Sequence, residues 1–312
     1  MSSSYECKLS EELQKKALEN LREDENLRNQ SLDQFREWIE KHPRIKKCPM
    51  DANFLLRFLR TKKFSVPDAL KLLENYLTTR KVLPQVFDGL TLDDPALKHC
   101  VSNGMILILP EPDKEGRVVI SYNAECFDTS KYTATDANRV LNFALQLACF
   151  DERAQICGIA HAMDWGTVTL SLVSLLTIPH IKNITQCLQK TFPLRHGIFF
   201  IINLPTYCVA VFKLALSCFS EKLRKRFHVV KNWDRVHEEI GSSVLAKEDG
   251  GTIPRLELAK KMIDLAEKHR EEILSQNDFD IEVSDRDINF GNTHDADLDA
   301  AIVGSFRKIN VD

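Results

Sequence analysis

The pattern of apolar and polar positions along the chain is sharpest between residues 192 and 226. Residues 198–202 form a continuous run of β-branched and aromatic side chains, which predicts a strand buried on both faces. An Asn-Leu-Pro turn ends this run. Residues 207–219 follow with one charge, Lys213, and their apolar side chains point all round a predicted helix. Such a helix must be buried or cover something apolar.

A basic cluster follows the apolar helix. Lys222, Lys225 and Arg226 recur at three- and four-residue spacing, which predicts one cationic helical face. Cations beside apolar surface suit anionic lipid headgroups, so the segment favours contact with a membrane surface. The same order of residues is also typical of a buried helix that leaves a core for solvent, and this alternative stays open.

The first part of the chain has helical periodicity throughout residues 10–79. Asp51 is predicted to cap a third helix, and Ser65 a fourth helix with Pro67 in its first turn. These segments predict a small all-helical domain. On its polar faces we expect a solvated surface that carries Arg57, Arg60, Lys62 and Lys63.

After residue 84 the pattern changes to short apolar runs that alternate with helical segments. Strands separated by helices imply a mainly parallel sheet with crossover connections, and hence an α/β fold class. The strands are predicted at residues 105–109, 117–122, 156–163 and 198–202, and the helices at 135–150, 170–176, 179–189 and 255–274. The predicted divisions are a helical domain over 1–90, a sheet domain over 91–256, and a carboxyl-terminal helix with an acidic tail over 257–312.

Composition and charge narrow the class of protein. The 312 residues, 44% apolar and 28% charged, are typical of a folded protein of two domains. Residues 278–299 hold eight carboxylates against one cation, Arg286, and we expect them to form a loosely ordered tail. Without this −7, the net charge of −3 becomes +4 for the remaining chain, too small a surplus to indicate nucleic acid binding.

The cellular compartment is predicted from the amino-terminal residues, the length of the apolar runs and the spacing of the cysteines. The first residues lack the basic start and apolar middle of a secretory signal, and no apolar run reaches membrane-spanning length. Nine cysteines without paired or zinc-type spacing are typical of reduced thiols. We therefore expect a cytoplasmic protein that visits membranes transiently.

The sequence contains no nucleophile elbow, dinucleotide-binding turn, P-loop or zinc-protease helix. His161 and Asp164, near the end of the predicted strand 156–163, are the best catalytic candidates, since α/β sheets often place functional groups there. A structural role for the two side chains is the alternative that we favour.

The predicted helices carry more apolar surface than one sheet face needs. Val140, Leu141 and Leu145 lie on helix 135–150, and Ile181, Ile184 and Leu188 lie on a neighbouring helix. Together with the apolar helix 207–219, they indicate a cavity between sheet and helices that a hydrophobic ligand would fill.

Several blocks, in order, resemble the CRAL-TRIO family of lipid-transfer proteins, in particular its tocopherol-transfer and retinaldehyde-binding members. The blocks are FLLRFLR at 54–60, FPLR at 192–195 with NLP at 203–205, EKLRKRFH at 221–228 and GGTIP at 250–254. The resemblance implies an amino-terminal helical domain and a lipid pocket closed by a mobile lid helix, here residues 206–219. It implies no cofactor, no metal and no catalytic residue.

The resemblance also implies two sets of binding residues. A cleft for phosphoinositide headgroups falls on Lys62, Arg195, Lys222 and Arg226. This chain departs from its relatives at Arg195-His196-Gly197, where they have a second basic residue, so we expect weaker headgroup binding or dependence on His196 protonation. The implied pocket is lined by Leu141, Leu145, Ile159, Met163, Leu170, Ile184, Cys187, Leu188 and Phe192, with Phe212 and Ala215 from the lid.

The prediction for function is a carrier that is not an enzyme. It takes one tocopherol- or retinoid-like molecule from a bilayer and releases it by lid opening at a phosphoinositide-bearing membrane; a carotenoid or sterol is a further candidate cargo. Two alternatives remain open at this point. One is a phosphoinositide-binding adaptor with a structural lipid in its pocket and a protein partner on the acidic tail, and the other is an enzyme that uses His161 and Asp164.

Overall fold

A computed structural model describes residues 5–285 and residue 287. The fold class is α/β, as predicted: helices come first, and a mainly parallel sheet flanked by helices follows. The part of the predicted acidic tail beyond Asp287, together with Arg286, lies outside the described residues.

Helices form most of the described chain. They are α1 (Glu11–Leu21), α2 (Glu25–Glu40), α3 (Ala52–Thr61), α4 (Val66–Val82), α5 (Pro84–Phe87), α6 (Pro95–Ser102), α7 (Ala134–Phe150), α8 (Glu152–Cys157), α9 (Leu170–Ser174), α10 (Ile178–Gln186), α11 (Val209–Ser217), α12 (Glu221–Arg224), α13 (Asp234–Glu239), α14 (Arg255–Lys268) and α15 (Arg270–Ser275). A turn of π-helix (Cys187–Thr191) extends α10, and 3-10 turns occur at Ala124–Cys126, Thr206–Cys208, Ser242–Val244, Lys247–Asp249 and Gln276–Asp278.

The strands form two sheets. They are β1 (Ile45–Lys47), β2 (Ile106–Ile108), β3 (Val118–Asn123), β4 (Ile159–Asp164), β5 (His196–Ile202), β6 (Phe227–Val230) and β7 (Asp280–Ile281). The main sheet has the order β2-β3-β4-β5-β6, with β2 antiparallel to β3 and the other neighbours parallel. The prediction of a mainly parallel sheet is therefore confirmed, but β6 was not predicted because its residues follow the basic cluster directly.

The helical caps follow the sequence signals with one exception. The Asp51 carboxylate accepts a hydrogen bond from the backbone N–H of Phe54 at 2.9 Å, as an N-cap should. Ser65 also occupies the N-cap position of α4, but its hydroxyl donates to the Asp68 carboxylate at 2.9 Å instead of accepting from the helix. Pro67 still fixes the first turn of α4.

Arg57 and Arg60 on α3 are buried, contrary to the solvated surface expected from the sequence, whereas Lys63 beyond the end of the helix is exposed. Arg60 is 0% exposed and donates to both carboxylate oxygens of Glu23 at 2.9 Å. It also donates to Glu152 at 2.8 Å and to Gln155 at 2.7 Å, both on α8. The guanidinium therefore joins the amino-terminal helices to the sheet domain, which periodicity within α3 does not reveal.

The start of β4 differs from the predicted strand 156–163. Residues 156 and 157 end helix α8, and the chain turns into the strand at Gly158, which has a φ of +88°. A Cβ atom at this position would lie 2.6 Å from the carbonyl oxygen of Arg195 on the next segment. Both the backbone conformation and the close approach therefore require glycine.

The first residues of the acidic segment are packed against the helical domain, so the expectation of a loose tail from residue 278 is wrong up to Asp287. β7 pairs antiparallel with β1. Lys47 donates to Asp278 at 2.9 Å, and Lys81 donates to Asp280 at 2.8 Å. The carboxylates are ordered here because basic residues of the helical domain face them.

Candidate functional site

A cavity of about 250 Å³ lies between the main sheet and helices α7, α9, α10 and α11. Its wall is almost entirely apolar. The sequence predicted a cavity in this place, between the sheet and surplus apolar helix. Six of the residues proposed for the pocket line the cavity: Leu141, Met163, Ile184, Leu188, Phe212 and Ala215.

Four other proposed pocket residues are buried away from the cavity. Leu145 lies one turn beyond Leu141 on α7, and Ile159 lies at the start of β4; both are core residues with no exposed surface. Cys187 is buried in the π-helical turn. Phe192 packs on the helical domain instead, with its ring 6.2 Å from that of Tyr76.

Leu170 is the fifth proposed pocket residue that does not line the cavity. It begins α9 and is 68% exposed, whereas Leu172 on the same helix does line the cavity. A helix this short presents only one side to the sheet, so residues two apart face different surroundings. Leu170 adds to the apolar outer surface beside the cavity.

Several wall residues were missed by sequence reasoning. Tyr122, Phe199 and Phe227 lie on three different strands and line the cavity. Tyr122 pairs in register with Met163, and His161 with Phe199, so strand pairing brings them to one place. Alternation along each strand was the available signal, but the register between strands cannot be read from alternation alone.

Helix α11 closes one side of the cavity. Phe212, Ala215 and Leu216 line the wall, and Phe212 is the one fully buried residue of this helix. The Phe212 ring lies 5.9 Å from that of Trp165 and 6.3 Å from that of Phe227. The apolar helix therefore covers something apolar, as predicted, while its outer apolar residues Val211 and Leu214 stay half-buried.

The end of α11 is held by the π-helical turn. The Gln189 side chain accepts from the backbone N–H of Ser220 at 2.7 Å and donates to the carbonyl of Cys218 at 3.4 Å. The Tyr207 hydroxyl, at the other end of the segment, donates to the carbonyl of Val168. Side-chain hydrogen bonds therefore hold both ends of the segment that contains α11.

The three residues of the predicted basic face do not lie on one helix in the structure. α12 is a single turn, Glu221–Arg224, so Lys225 and Arg226 lie beyond its end and do not share a helical face with Lys222. Lys225 pairs with Glu221 at 2.7 Å. The spacing of three and four residues fails here because the chain leaves the helix to enter β6.

Arg195 and Arg226 are the two predicted headgroup residues that the structure brings together. Arg226 donates to the carbonyl of His196, and Arg195 donates to the carbonyl of Ile156. Burial lowers the pKa of Arg195, and the neighbouring charge of Arg226 lowers it further. Lys222 is exposed and Lys62 is half-buried at the end of α3.

His196, where this chain departs from its relatives, faces the core instead of a headgroup. Its ring is buried, and its Nδ1 lies 2.8 Å from His161 Nε2. Burial, and then the charge of Arg226, lower the pKa of His196 to about 4. The expectation that headgroup binding depends on His196 protonation near neutral pH is therefore wrong.

Among the described residues, His161 and Asp164 form no hydrogen bond with each other. His161 is buried between Tyr122 and His196, with 3.1 Å from Tyr122 Oη to His161 Nδ1. The Asp164 carboxylate instead accepts from Asn203 at 3.1 Å and from the backbone of Gly166 at 2.8 Å. The two side chains have separate partners, as the structural interpretation of the sequence anticipated.

A second cavity, of about 660 Å³, lies where α3 and α8 meet α15. Its wall is polar and includes Arg57, Glu152 and Glu272. Charged walls do not favour an apolar ligand, so the cavity against the sheet is the candidate lipid site. Within the described residues, no group of three or more His, Cys, Asp or Glu side chains is arranged to hold a metal ion.

The lengths of the helices and the state of the cysteines complete the description of the structure. Among residues 5–285 and 287, no helix has the length and apolar character needed to cross a bilayer. All nine cysteines are free thiols, as their spacing predicted.

Two consecutive parts of the chain match known protein domains. Residues 102–251 match the CRAL/TRIO domain, and residues 24–97 match the Pinta-like UBA domain. Clavesin-1 of Pongo abelii is 32% identical over 247 residues, which cover 79% of this chain and 70% of that protein. The alpha-tocopherol transfer protein-like protein of Homo sapiens is 31% identical over 256 residues, which cover 82% and 74%.

One solved structure is also similar, the crystal structure of Sfh5, with a TM-score of 0.47 and 13% identity over 80% of this chain and 99% of that chain. The domain match and the identity to relatives over most of the chain agree with the cavity, the parallel sheet and the covering helix. This chain belongs to the CRAL-TRIO family of lipid-binding and transfer proteins.

Proposed function

We propose that the protein is a non-catalytic carrier of one small hydrophobic molecule. The observation that carries this proposal is the apolar cavity between the sheet and α11 in a chain of a lipid-binding family. A bilayer and the cavity are both dry and apolar, so moving a ligand between them costs little free energy. The barrier lies in opening the cavity.

The proposed cargo is a tocopherol- or retinoid-like molecule. One relative carries the name alpha-tocopherol transfer protein-like, which supports a cargo of this class. The cavity wall supports it further, since a molecule that is apolar along most of its length leaves few polar atoms without partners there. Vitamin E and retinoids are therefore the first compounds to test.

The proposed docking surface is a basic cleft for phosphoinositide headgroups that contains Lys62, Arg195, Lys222 and Arg226. Among the described residues, no carboxylate forms an ion pair with Arg195 or Arg226. Two guanidinium groups that repel each other favour a shared anion, and a phosphate accepts charge-assisted hydrogen bonds from both. The protein would stay in the cytoplasm and contact membranes transiently.

The proposed release step is the opening of α11 at the membrane. The half-buried side chains of Val211 and Leu214 and the exposed Leu170 and Tyr207 give this side of the molecule an apolar outer surface. Inserting that surface into lipid would offset the loss of the Phe212 contacts inside. The acidic segment beyond residue 287 remains a candidate contact for a protein partner.

The experiment that tests the carrier is an exchange measurement. Purified protein is incubated with a mixed lipid extract, re-isolated, and its bound molecules are identified by mass spectrometry before and after incubation with empty vesicles. One dominant isoprenoid or sterol-like compound that leaves with the vesicles supports the carrier. A phospholipid that never exchanges supports the adaptor with a structural lipid, and a chemically altered ligand that is lost in His161→Ala supports an enzyme.

The basic cleft is tested by the variant Lys222→Ala/Arg226→Ala. Removing two cations should weaken binding to vesicles that contain phosphatidylinositol bisphosphate about tenfold or more, at roughly 1 kcal/mol for each cation, while ligand loading is retained. Co-sedimentation with vesicles measures the binding. Lys225→Ala is the matched control, because Lys225 is paired with Glu221. Equal vesicle binding by the double variant and the control would contradict the docking role.

A further inference from the structure

Two polar side chains belong to the helical side of the otherwise apolar cavity. Asn138 on α7 and Thr185 on α10 both line the wall. Both are buried, with 4% and 7% of their surfaces exposed. The two helices pack against each other, so the two residues belong to adjoining parts of the wall. A polar group in an apolar wall costs free energy unless a hydrogen-bond partner satisfies it.

Helical spacing places both side chains on the cavity side of their helices. The wall residues of α7 are Ala134, Ala137, Asn138 and Leu141. Those of α10 and its π-helical extension are His180, Ile181, Ile184, Thr185 and Leu188. Both sets recur at intervals of three and four residues, which is the spacing of one side of a helix. The side chains of Asn138 and Thr185 therefore leave the backbone among residues that face the cavity.

These two side chains differ from polar residues on the sheet side of the wall in having unpartnered atoms. Asn138 Nδ2 and Thr185 Oγ1 are buried and form no hydrogen bond with any described residue. On the sheet side, Tyr122 Oη lies 3.1 Å from His161 Nδ1, and the Asp164 carboxylate accepts hydrogen bonds from three residues. A ligand oxygen gains more from a group without a partner than from one whose existing bond it must displace.

Neither unpartnered group has a hydrogen bond to break before it meets a ligand. A threonine in a helix adopts two χ1 rotamers, so the Thr185 hydroxyl can change its direction by one rotation. Rotation about χ2 of Asn138 turns its amide within a broad torsional well. Both groups can therefore turn toward a ligand at small cost, whereas Tyr122 would first have to leave His161.

The chemistry of the two groups defines the ligand atom that they recognise. The Asn138 Nδ2 group only donates hydrogen bonds, and the Thr185 hydroxyl both donates and accepts. A hydroxyl or carbonyl oxygen satisfies such groups, and a hydrocarbon does not. The rest of the wall is apolar and suits a hydrocarbon chain or ring. The two features together fit a hydrophobic molecule that carries an oxygen at one position.

We propose that Asn138 and Thr185 form the polar subsite of the cavity, at which the protein recognises the hydroxyl or carbonyl oxygen of its ligand. This inference rests on the proposed carrier function. It places the oxygen of the cargo against α7 and α10 and the hydrocarbon part between the sheet and α11. The protein thereby selects oxygenated molecules over hydrocarbons of the same shape.

The test uses two ligands that differ in one oxygen atom, retinol and the hydrocarbon axerophtene. Each is titrated into wild-type protein, Asn138→Leu and Thr185→Val, and binding is followed by quenching of tryptophan fluorescence, since Trp165 lines the cavity. Each variant should bind retinol about 3- to 10-fold more weakly than wild type, the range expected for one hydrogen bond. Axerophtene should bind to the variants at least as tightly as to wild type. Comparing proteins for one ligand at a time cancels the hydration of that ligand.

Thermal unfolding without ligand separates recognition from a structural role. Each substitution removes a buried polar group that has no partner, so the variants should melt at the same temperature as wild type or higher. Ser121→Ala is the matched control, because Ser121 Oγ is also buried and unpartnered among the described residues but Ser121 does not line the cavity. This control should leave the affinities for both ligands unchanged.

The outcomes distinguish the subsite from the function on which it rests. If neither retinol nor axerophtene binds to wild type, the carrier of a retinoid-like molecule is overturned and the subsite with it. If both bind but retinol binding is not selectively weakened in both variants, the subsite is overturned while the carrier stands. A lower melting temperature with equal losses for the two ligands would show a structural role and overturn the subsite as well. A selective loss of retinol binding in Tyr122→Phe alone would assign recognition to the sheet side instead.

Discussion

At the residue scale, two buried histidines connect the cavity wall to the proposed basic cleft through hydrogen bonds. His161 stacks on Phe199 with ring centroids 4.2 Å apart and is bonded to His196. The carbonyl of His196 accepts from Arg226. His196 thus lies between His161 at the cavity wall and Arg226 at the proposed headgroup site, and it must stay neutral because an added charge would be buried beside a guanidinium.

This arrangement predicts a loss of stability in acid. The pKa of His196 is about 4 in the folded protein and 6.5 ordinarily, so between these values the unfolded chain binds more protons than the folded protein. Stability should therefore fall as the pH falls from 6.5 toward 4, by about 3 kcal/mol at 1.36 kcal/mol per pKa unit. Urea unfolding at a series of pH values measures this change in the free energy of unfolding. A pH dependence that is unchanged in His196→Gln would contradict this assignment.

At the element scale, α11 combines a nearly all-apolar sequence with few polar tethers. Only Phe212 is fully buried, and the Gln189 side chain holds the carboxyl-terminal end through two hydrogen bonds. Displacing such a helix breaks few hydrogen bonds, so the free-energy barrier to the proposed opening lies mainly in exposing the apolar side chains that face the cavity. These features are what a cover over an exchangeable ligand requires.

The tether by Gln189 gives a prediction for ligand release. Gln189→Ala removes both hydrogen bonds, and at about 0.5 to 1.5 kcal/mol for each bond the release rate should rise about tenfold. The rate is measured as transfer of a loaded fluorescent retinol to vesicles. Gln186→Ala, in the preceding turn, is the matched control, since the Gln186 side chain forms neither bond. An unchanged rate in Gln189→Ala would show that α11 does not limit release.

At the scale of the whole molecule, the buried ion-pair network around Arg60 connects the two parts of the fold. Glu23 belongs to the amino-terminal region, whereas Glu152 and Gln155 belong to α8, directly before β4. The network therefore fixes the helical domain against the strand that carries His161. Positioning of the cavity wall depends on contacts made outside the cavity.

Removing the Arg60 charge should destabilise the folded protein strongly. Arg60→Met leaves the buried carboxylate of Glu23 with Arg28 alone, at 3.6 Å, and we expect a loss of about 3 to 5 kcal/mol in the free energy of unfolding. Lys47→Ala, which breaks the exposed pair with Asp278, is the control and should cost less than about 1 kcal/mol. Urea denaturation compares the two variants, and equal losses would contradict the importance of the network.

The sequence by itself determined the order and type of most elements and the fold class. Local signals were sufficient there, because the cap at Asp51, the strand at residues 198–202 and the apolar helix after it depend on neighbours along the chain. The presence of an apolar cavity also followed from sequence, since the helices carry more apolar surface than the sheet face needs. Six of the eleven wall residues that the family resemblance implied line the cavity.

Only the tertiary structure decided which distant residues meet. Strand register joined Tyr122, His161 and His196, which lie 39 and 35 residues apart, and burial turned Arg60 from an expected surface cation into the centre of a network. Because α12 ends after one turn, Lys222 and Arg226 likewise do not share a helical face. Periodicity reports which face of an element is apolar, but the partner that covers that face is set by long-range packing, which no local pattern encodes.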